Sequence, residues 1–555
     1  MQVLCVSTAG PKSHLRPFPR ISAWGGRNTC RFASGDHLGC QGPVLHWERY
    51  GRPIPVPSGR SPILLRIFRT PYSTRPGHRP RKTGGVSDRP ITVMWFRRDL
   101  RVDDHPALAA AAARGDVVAL WVADPDLLGA PHHRSPVRLR FLRACLGALD
   151  AELTALGIPL VIRNGSPTDV LPAVAAKAGA DRVYATGDVT PYSARRDEAV
   201  NAALGRDGVS FACIGGPWRV RPDALVGSSG NGYLVFTPFF RAWDAIPVDA
   251  RIATPDALAG PRLPSDGLDV LPAGAPPLPA GPTAARARLE DFIRSGAVDR
   301  YGDLRDDMAS DATSHLSADL RMGVLSPAQV GRAIGAGGGV PSSRQAFWRQ
   351  LAWRDFYAHH MQRHPVVARA AMNEKFRGIR WDDAPAALDA WREGRTGFPL
   401  ADAGMRQMAA TGWMHSRARM VCASVLVKDL LLDWRRGEAV FMRGLVDGDP
   451  ANNNGGWQWT AGTGTDAAPY FRVFNPFLQA KRFDPTGAYV RRWVPELADV
   501  PDRYIHEPWT MPEEVQVEAG CRIGTDYPEP IVDHATRRVE AIERYKSAAE
   551  RMGVA

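Results

Sequence analysis

The chain has 555 residues, too many for one ordinary domain, and its 44% hydrophobic and 23% charged side chains exclude a disordered or fibrous class. Its best apolar run, Val421 to Leu432, is broken by Lys428 and Asp429, which excludes a spanning helix. Seven scattered cysteines with no Cys-x-x-Cys pair argue against a disulfide framework or zinc site and for a reducing compartment. The formal charge of +12 sits in residues 1–90, where 15 Lys and Arg meet only Asp36, Glu48 and Asp88; the remainder balances 55 basic against 55 acidic groups and carries no global nucleic-acid signal.

Residues 1–88 show no sustained period of 2 or 3.6 and are rich in Pro, Gly, Ser and Arg, a composition that cannot offset its ordering entropy by burial. They read as a disordered basic tail, an organelle transit peptide or an over-called start. The excess of Arg over Lys, 63 to 7, points to a GC-rich gene with spurious upstream frames and favours the last of these. From Ile91 the pattern changes. Buried strands are predicted at Ile91–Phe96, Val117–Ala123, Pro159–Ile162, Arg182–Thr186 and Val209–Ile214, with helices at His105–Arg114, Ser135–Leu156, Thr168–Ala178 and Tyr192–Leu204 between them. Strict alternation with continuous apolar strands predicts a doubly wound parallel α/β domain over 89–220, its ligand loops at Arg97–Asp104, Asp124–Asp126 and Gly187–Tyr192.

A connector is predicted over 221–285, with eight prolines between 251 and 285. Strand signals then vanish. Helices are predicted at Thr283–Ser295, Ser326–Ile334, Arg344–Arg363, Ala386–Glu393, Ala401–Ala410, His415–Trp434 and Glu438–Leu445, which makes 286–510 an all-α domain, and 511–555 a tail with one more helix at His534–Met552.

Half of the 16 tryptophans fall between Trp348 and Trp459. Most read as aromatic core, but Trp381 sits in a polar loop, and Trp457 and Trp459 follow Asn452–Asn453–Asn454–Gly455–Gly456. The stretch Leu445 to Pro476 reads as a long polar loop whose groups need a ligand or each other. Its residue types suit a large planar cofactor: Asp447 and Asp449 accept from ring or ribityl donors, Asn453 both donates and accepts, and the glycines allow close approach. Neither a P-loop nor a dinucleotide fingerprint is present. A second cradle is Asp311–Ser317. His359, His360 and His364 raise a metal question, answered here as a helix surface.

Five motifs in order then carry a resemblance: MWFRRDLRVDDHPAL (Met94–Leu108), DATSHLSADLRMG (Asp311–Gly323), LAWRDFY (Leu351–Tyr357), GWMHSRARMVCASVLVKDLL (Gly412–Leu431) and the Leu445–Pro476 stretch. The chain from residue 91 to about 510 resembles the cryptochrome/DNA photolyase family, and within it the class I cyclobutane pyrimidine dimer photolyases. The resemblance implies an α/β antenna domain, a helical FAD domain and light-driven repair of UV-damaged DNA by a cytoplasmic monomer. FAD would be held by Tyr301, Thr313, Ser314, His315, Leu316 and Ser317, with Arg354, Arg419, Asp447, Gly448 and Asp449 about the flavin and Asn453 facing its N5. Trp457, Trp434 and Trp381 match the family's electron chain. Lesion contacts would come from Trp353, Met420 and Trp459, and further DNA contacts from Arg305, Gln479 and Arg472.

There are two departures. The family's lesion-contacting Glu is Gln350 here, and the Asn of its M-H-N-R motif is Ser416. Photolyases specific for the (6-4) lesion carry His at the latter position, so that chemistry is disfavoured. The stretch Gly187–Asp197 resembles the members that bind an 8-hydroxy-deazaflavin antenna more than those that bind methenyltetrahydrofolate, with Arg138 and Asp188 as contacts; an ordinary helix N-cap at Asp188 or Thr190 explains the same residues equally well. The alternatives are a cryptochrome-like photoreceptor without repair activity, and a basic nucleic-acid binder acting through residues 1–90.

Overall fold

The structure is a computed structural model that describes residues 89–131, 134–227, 230, 232–310, 312–335 and 341–553. The basic segment 1–88 and Asp311 lie outside the described residues. Five strands, β1 (Ile91–Phe96), β2 (Asp116–Ala123), β3 (Leu160–Asn164), β4 (Arg182–Ala185) and β5 (Ser210–Cys213), form an all-parallel sheet in the order β3-β2-β1-β4-β5. Every side chain of β1 and β2 is buried, as continuous apolar runs require when helices cover both faces. The helices α1 (Pro106–Arg114), α2 (Pro125–Leu128), α3 (Pro136–Ala155), α4 (Pro167–Ala178) and α5 (Pro191–Arg206) all begin with proline, where a missing N–H costs nothing. The chain leaves β3 and returns on the far side of β1, so the switch point lies between β1 and β4, beside the loops after Phe96 and Ala185.

The Pro-rich connector covers the exposed edge of β3. Asp266 donates its N–H to the Ile162 carbonyl at 2.9 Å, and the Ser265 hydroxyl accepts from the Ile162 N–H at 2.9 Å. Within the stretch predicted as connector the chain also forms α6 (Phe236–Asp244), which buries Phe236, Phe239, Phe240 and Trp243.

Further helices follow: α7 (Pro282–Arg294), α8 (Ala297–Leu304), α9 (Ser317–Met322), α10 (Pro327–Ala333), α11 (Ser342–Arg363), α12 (Pro385–Glu393), α13 (Pro399–Thr411), α14 (Ser416–Ser424), α15 (Trp434–Gly444), α16 (Pro450–Ala461), α17 (Pro476–Phe483), α18 (Ala488–Trp493), α19 (Glu513–Glu518) and α20 (His534–Gly553). Two expectations are corrected. The helix predicted over His415–Trp434 ends at Ser424, passes through a π turn at Val425–Asp429 and breaks where Leu431 takes a φ of 52°. Apolar residues continue through the break because both sides are buried, so hydrophobic periodicity cannot see it. The polar stretch read as a loop contains α16: Asp449 caps it by accepting from the Asn452 N–H at 2.9 Å, and Pro450 occupies its first position. Its Asn and Gly residues have poor helix propensity, which packing on α11 and α15 overrides.

One apolar cluster runs from Met94 and Phe96 of the sheet through Phe141 to Phe236, Trp353 and Tyr357. A second surrounds Met420, Trp434 and Trp457. The functional cavity is built between elements that these two clusters fix.

Candidate functional site

A cavity open to solvent, about 810 Å³ counted with the space at its mouth, lies between these elements. Thr313 to Ser317 enter from the loop before α9 and its first residue, and Arg321 from α9 itself. Gln350, Trp353 and Arg354 project from α11, Ser416 and Arg419 from α14. Asp447, Asp449 and Asn452 come from the start of α16 and the turn before it.

The wall is strongly charged. Arg419 donates to both Asp447 oxygens, at 3.2 and 2.8 Å, and anchors its Nε on the Met414 carbonyl at 2.9 Å. Burial pushes the Asp447 carboxyl up, but Arg419 and the Ser317 hydroxyl outweigh it and hold it below the usual range. Burial acts likewise on Asp449, which Arg98, Arg321 and Arg354 hold far below that range. Arg98 bonds Asp449 directly, while Arg321 donates to the Gly448 carbonyl at 2.8 Å. Burial and the neighbouring Arg98 bring Arg321 down to about 9. Arg98, Arg138, Arg321, Arg354 and Arg419 thus face Asp188, Asp355, Asp447 and Asp449, which leaves an excess of buried positive charge that a diphosphate would offset. Several buried polar atoms have no hydrogen-bond partner: Thr313 Oγ1, Gln350 Oε1, Trp353 Nε1 and Asn453 Oδ1. Hydroxyls and guanidinium groups for phosphate, carboxylates for ring and sugar donors, and orphaned polar atoms fit FAD.

Thr313, Ser314, His315, Leu316, Ser317, Gln350, Trp353, Arg354, Ser416, Arg419, Asp447 and Asp449 all line this cavity. His315 holds a φ of 50°, with its ring 4.4 Å from that of Trp413. A Cβ at Gly448 would meet Arg138 Nη1 at 2.4 Å, so a larger residue there would need that guanidinium to shift. Asn453 sits just behind the wall, donating to the Glu438 carbonyl at 3.0 Å. Tyr301 is corrected: it lies outside the lining, in an aromatic cluster with Phe292 and Phe347. Met420 also lies outside the lining, wholly buried in the second core. Trp459 is half-buried where the two cores meet. Arg305 and Gln479 are half-buried and Arg472 exposed, all three outside the lining.

Trp457 is fully buried on α16; its ring would lie 2.2 Å from a Cβ at Gly437 of α15, so glycine lets the two helices close. Trp434 opens α15, and the half-buried Trp381 lies in a loop that Asp382 pins to the Leu431 carbonyl at 2.8 Å. The three tryptophans therefore sit on successively packed elements.

Both antenna contacts are corrected. Arg138 donates to the Met442 and Leu445 carbonyls at 2.9 and 2.8 Å, and Asp188 pairs with Arg98 at 3.2 Å. They join the α/β domain to the cavity wall. Arg98, Arg321, Trp413 and Asn452 were not assigned from the sequence; all four lie inside the motifs already quoted, at positions that had been given no role. Nor was Glu438, whose carboxyl burial pushes up to about 7.

Two of the three histidines expected on a helix surface are buried instead, His359 at 1% and His360 at 4% exposed, because the chain around Pro222 and Tyr233 folds over this end of α11; His364 is half-buried. No group of three or more His, Cys, Asp or Glu among the described residues could hold a metal. Burial pushes His360 down to about 3 and His415 to about 4, so both are neutral in the native state. The unfolded chain takes up their protons as pH falls below about 6.5, whereas the native state does not. Stability is therefore full above that pH and declines toward pH 4, by on the order of 2 kcal/mol per group at pH 5. Urea midpoints at pH 7.5 and 5 check this, and His360→Leu is expected to flatten the difference.

Two family models match the chain: "DNA photolyase" over residues 92–257 and "FAD binding domain of DNA photolyase" over 347–547. The deoxyribodipyrimidine photo-lyase of Halobacterium salinarum is 40% identical over 486 residues, which cover 82% of this chain and 99% of that protein. The chain belongs to the cryptochrome/DNA photolyase family. Among solved relatives in this family, a class III photolyase from Agrobacterium tumefaciens superposes with a TM-score of 0.79 at 36% identity, covering 84% of this chain and 99% of that one. A Synechocystis cryptochrome gives 0.76 at 29%, covering 82% and 100%.

Proposed function

We propose that the protein repairs cyclobutane pyrimidine dimers in DNA by light-driven electron transfer. The observation that carries this reading is the shared cavity: groups suited to a flavin and a lesion-sized polar and aromatic face line one space. Bound, photoreduced FAD supplies the electron that splits the dimer. Trp353 offers the stacking face and is itself held rigid on Phe236, ring to ring at 3.8 Å and 5°. Gln350 commits its Nε2 to the Ala346 carbonyl at 3.3 Å, which leaves Oε1 unpartnered to accept an imide N–H. Ser416 replaces a longer amide and reaches the base through a water. Asn453, an amide, cannot protonate the flavin as a carboxylic acid could. Arg305, Arg472, Gln479 and Trp459 are assigned to the DNA strand, whose lesion must be flipped out of the stack to reach the cavity. Trp457, Trp434 and Trp381 pass electrons inward from the surface to restore the reduced cofactor. The setting proposed is the cytoplasm, and no helix among the described residues is long and apolar enough to cross a membrane. No step is assigned to a second chromophore, because Arg138 and Asp188 are already engaged.

Binding in the dark tests lesion recognition. A duplex with one cyclobutane dimer is expected to bind more tightly than the undamaged or (6-4) duplex, by the roughly fivefold to hundredfold that 1–3 kcal/mol of base stacking gives. Equal affinity for all three would overturn the reading and favour a photoreceptor.

A further inference from the structure

Lys428, in the π turn, is 2% exposed and makes no ion pair with a carboxylate among the described residues. Its Nζ donates to the Ala461 carbonyl at 3.1 Å and the Tyr470 carbonyl at 3.3 Å, and lies 3.6 Å from the ring centroid of Tyr545 on α20. Tyr545 is fully buried and donates its hydroxyl to the same Ala461 oxygen at 2.6 Å. Ammonium and phenol thus converge on one acceptor. The Tyr545 ring stands edge-on to Trp381, with centroids 6.1 Å apart and planes at 85°.

We propose that Lys428 gates electron donation from Tyr545 to Trp381. The inference rests on Trp381 being the outer member of the electron chain. A phenol next to an oxidised indole gives up an electron readily only if its proton can leave with it. The Ala461 carbonyl cannot take that proton, and a charged ammonium over the ring opposes the loss of negative charge. While Lys428 is protonated, the oxidised state stays on Trp381, where a solution reductant reaches it. When Lys428 is neutral, the hydroxyl turns from the Ala461 carbonyl they share toward Nζ, whose lone pair takes the phenolic proton. One electron then passes from Tyr545 to the Trp381 radical cation, restoring neutral indole, and leaves a neutral phenoxyl beside an ammonium. The oxidant that starts the sequence is photoexcited oxidised flavin.

The surroundings place the gate near neutral pH. Burial, only partly offset by Asp429, brings Lys428 down to about 7. The Asp429 carboxylate is taken by His534 at 2.5 Å, and Arg537 donates to the Asp429 carbonyl at 2.8 Å. Asp433 is the remaining charge felt at the Tyr545 phenol, and Arg544 is held by Asp382 and Glu540.

Transient absorption and spin resonance after a flash on the oxidised holoenzyme test this. At pH 6 an indole radical is expected, with little phenoxyl. Phenoxyl yield should rise at least fivefold by pH 8.5, and Tyr545→Phe, which keeps the ring packing, should abolish the rise. Lys428→Met should show no rise at any pH, with circular dichroism confirming its fold; ¹³C-lysine resonances of the wild-type protein should titrate in the same range even if that variant does not fold. A flat phenoxyl yield with a Trp381→Phe-sensitive indole signal overturns the gate alone. An indole signal that Trp381→Phe leaves unchanged overturns the relay reading and the gate with it.

Discussion

Arg419→Ala is expected to cost about 3–5 kcal/mol of stability and to release the flavin, the usual penalty for stripping one partner from a buried ion pair. Both side chains of the Arg419–Asp447 pair are 4% exposed, and the guanidinium also secures the Met414 carbonyl, so its loss leaves an uncompensated carboxylate and an unpaired acceptor in the cavity wall. Lysine restores only part of the loss, since a point charge cannot span both carboxylate oxygens. The double variant Arg419→Ala, Asp447→Asn is expected to be more stable than Arg419→Ala, because it removes the stranded charge. Urea unfolding and the flavin-to-protein absorbance ratio after gel filtration measure both effects. An Arg419→Ala protein that retains full flavin content would remove the pair from the cofactor site.

Trp353→Ala is expected to act twice. It deletes a 2% exposed indole from the stack on Phe236 and from contacts with Phe356 and Tyr357, at a cost of about 3–5 kcal/mol. It also removes the stacking face from the cavity, and dimer binding should fall by a further 1–3 kcal/mol, roughly fivefold to hundredfold. Trp353→Phe separates the two contributions: it keeps an aromatic face and should recover most of the affinity while leaving a smaller cavity defect. Thermal unfolding and dark titration with a single-dimer duplex give the two readings independently. Loss of stability without loss of discrimination between damaged and undamaged DNA would confine Trp353 to the core.

The α/β domain was legible because its signals are local. Each strand is a short continuous apolar run, and each of its helices opens on a cap followed by proline, as at Ser135–Pro136 and Thr190–Pro191. The helical half was legible only where amphipathic period and exposure coincide. Buried α16 carries no such period, and its Asn–Gly composition is that of a turn; only the Asp449–Pro450 pair marks it as a helix start. The same limit hid α6, whose aromatic residues are packed inside a stretch that prolines define. In the site, motif residues located the cavity, but composition could not say which members of a motif face it. Met420 and Arg419 are adjacent in sequence, yet one is core and the other wall. Arg138 and Asp188 misled for a related reason: a charged residue at the carboxyl end of a parallel sheet marks a ligand loop or a domain seam, and the partners that decide between them are more than 300 residues away for Arg138.

The most direct test of the account is the loss of a single cyclobutane dimer from an oligonucleotide mixed with purified, photoreduced protein, in light against dark, beside a (6-4) oligonucleotide. Light-dependent, multiple-turnover loss of the dimer alone is expected, which would also establish that Gln350 and Ser416 support recognition. Normal photoreduction with repair of neither lesion would contradict it.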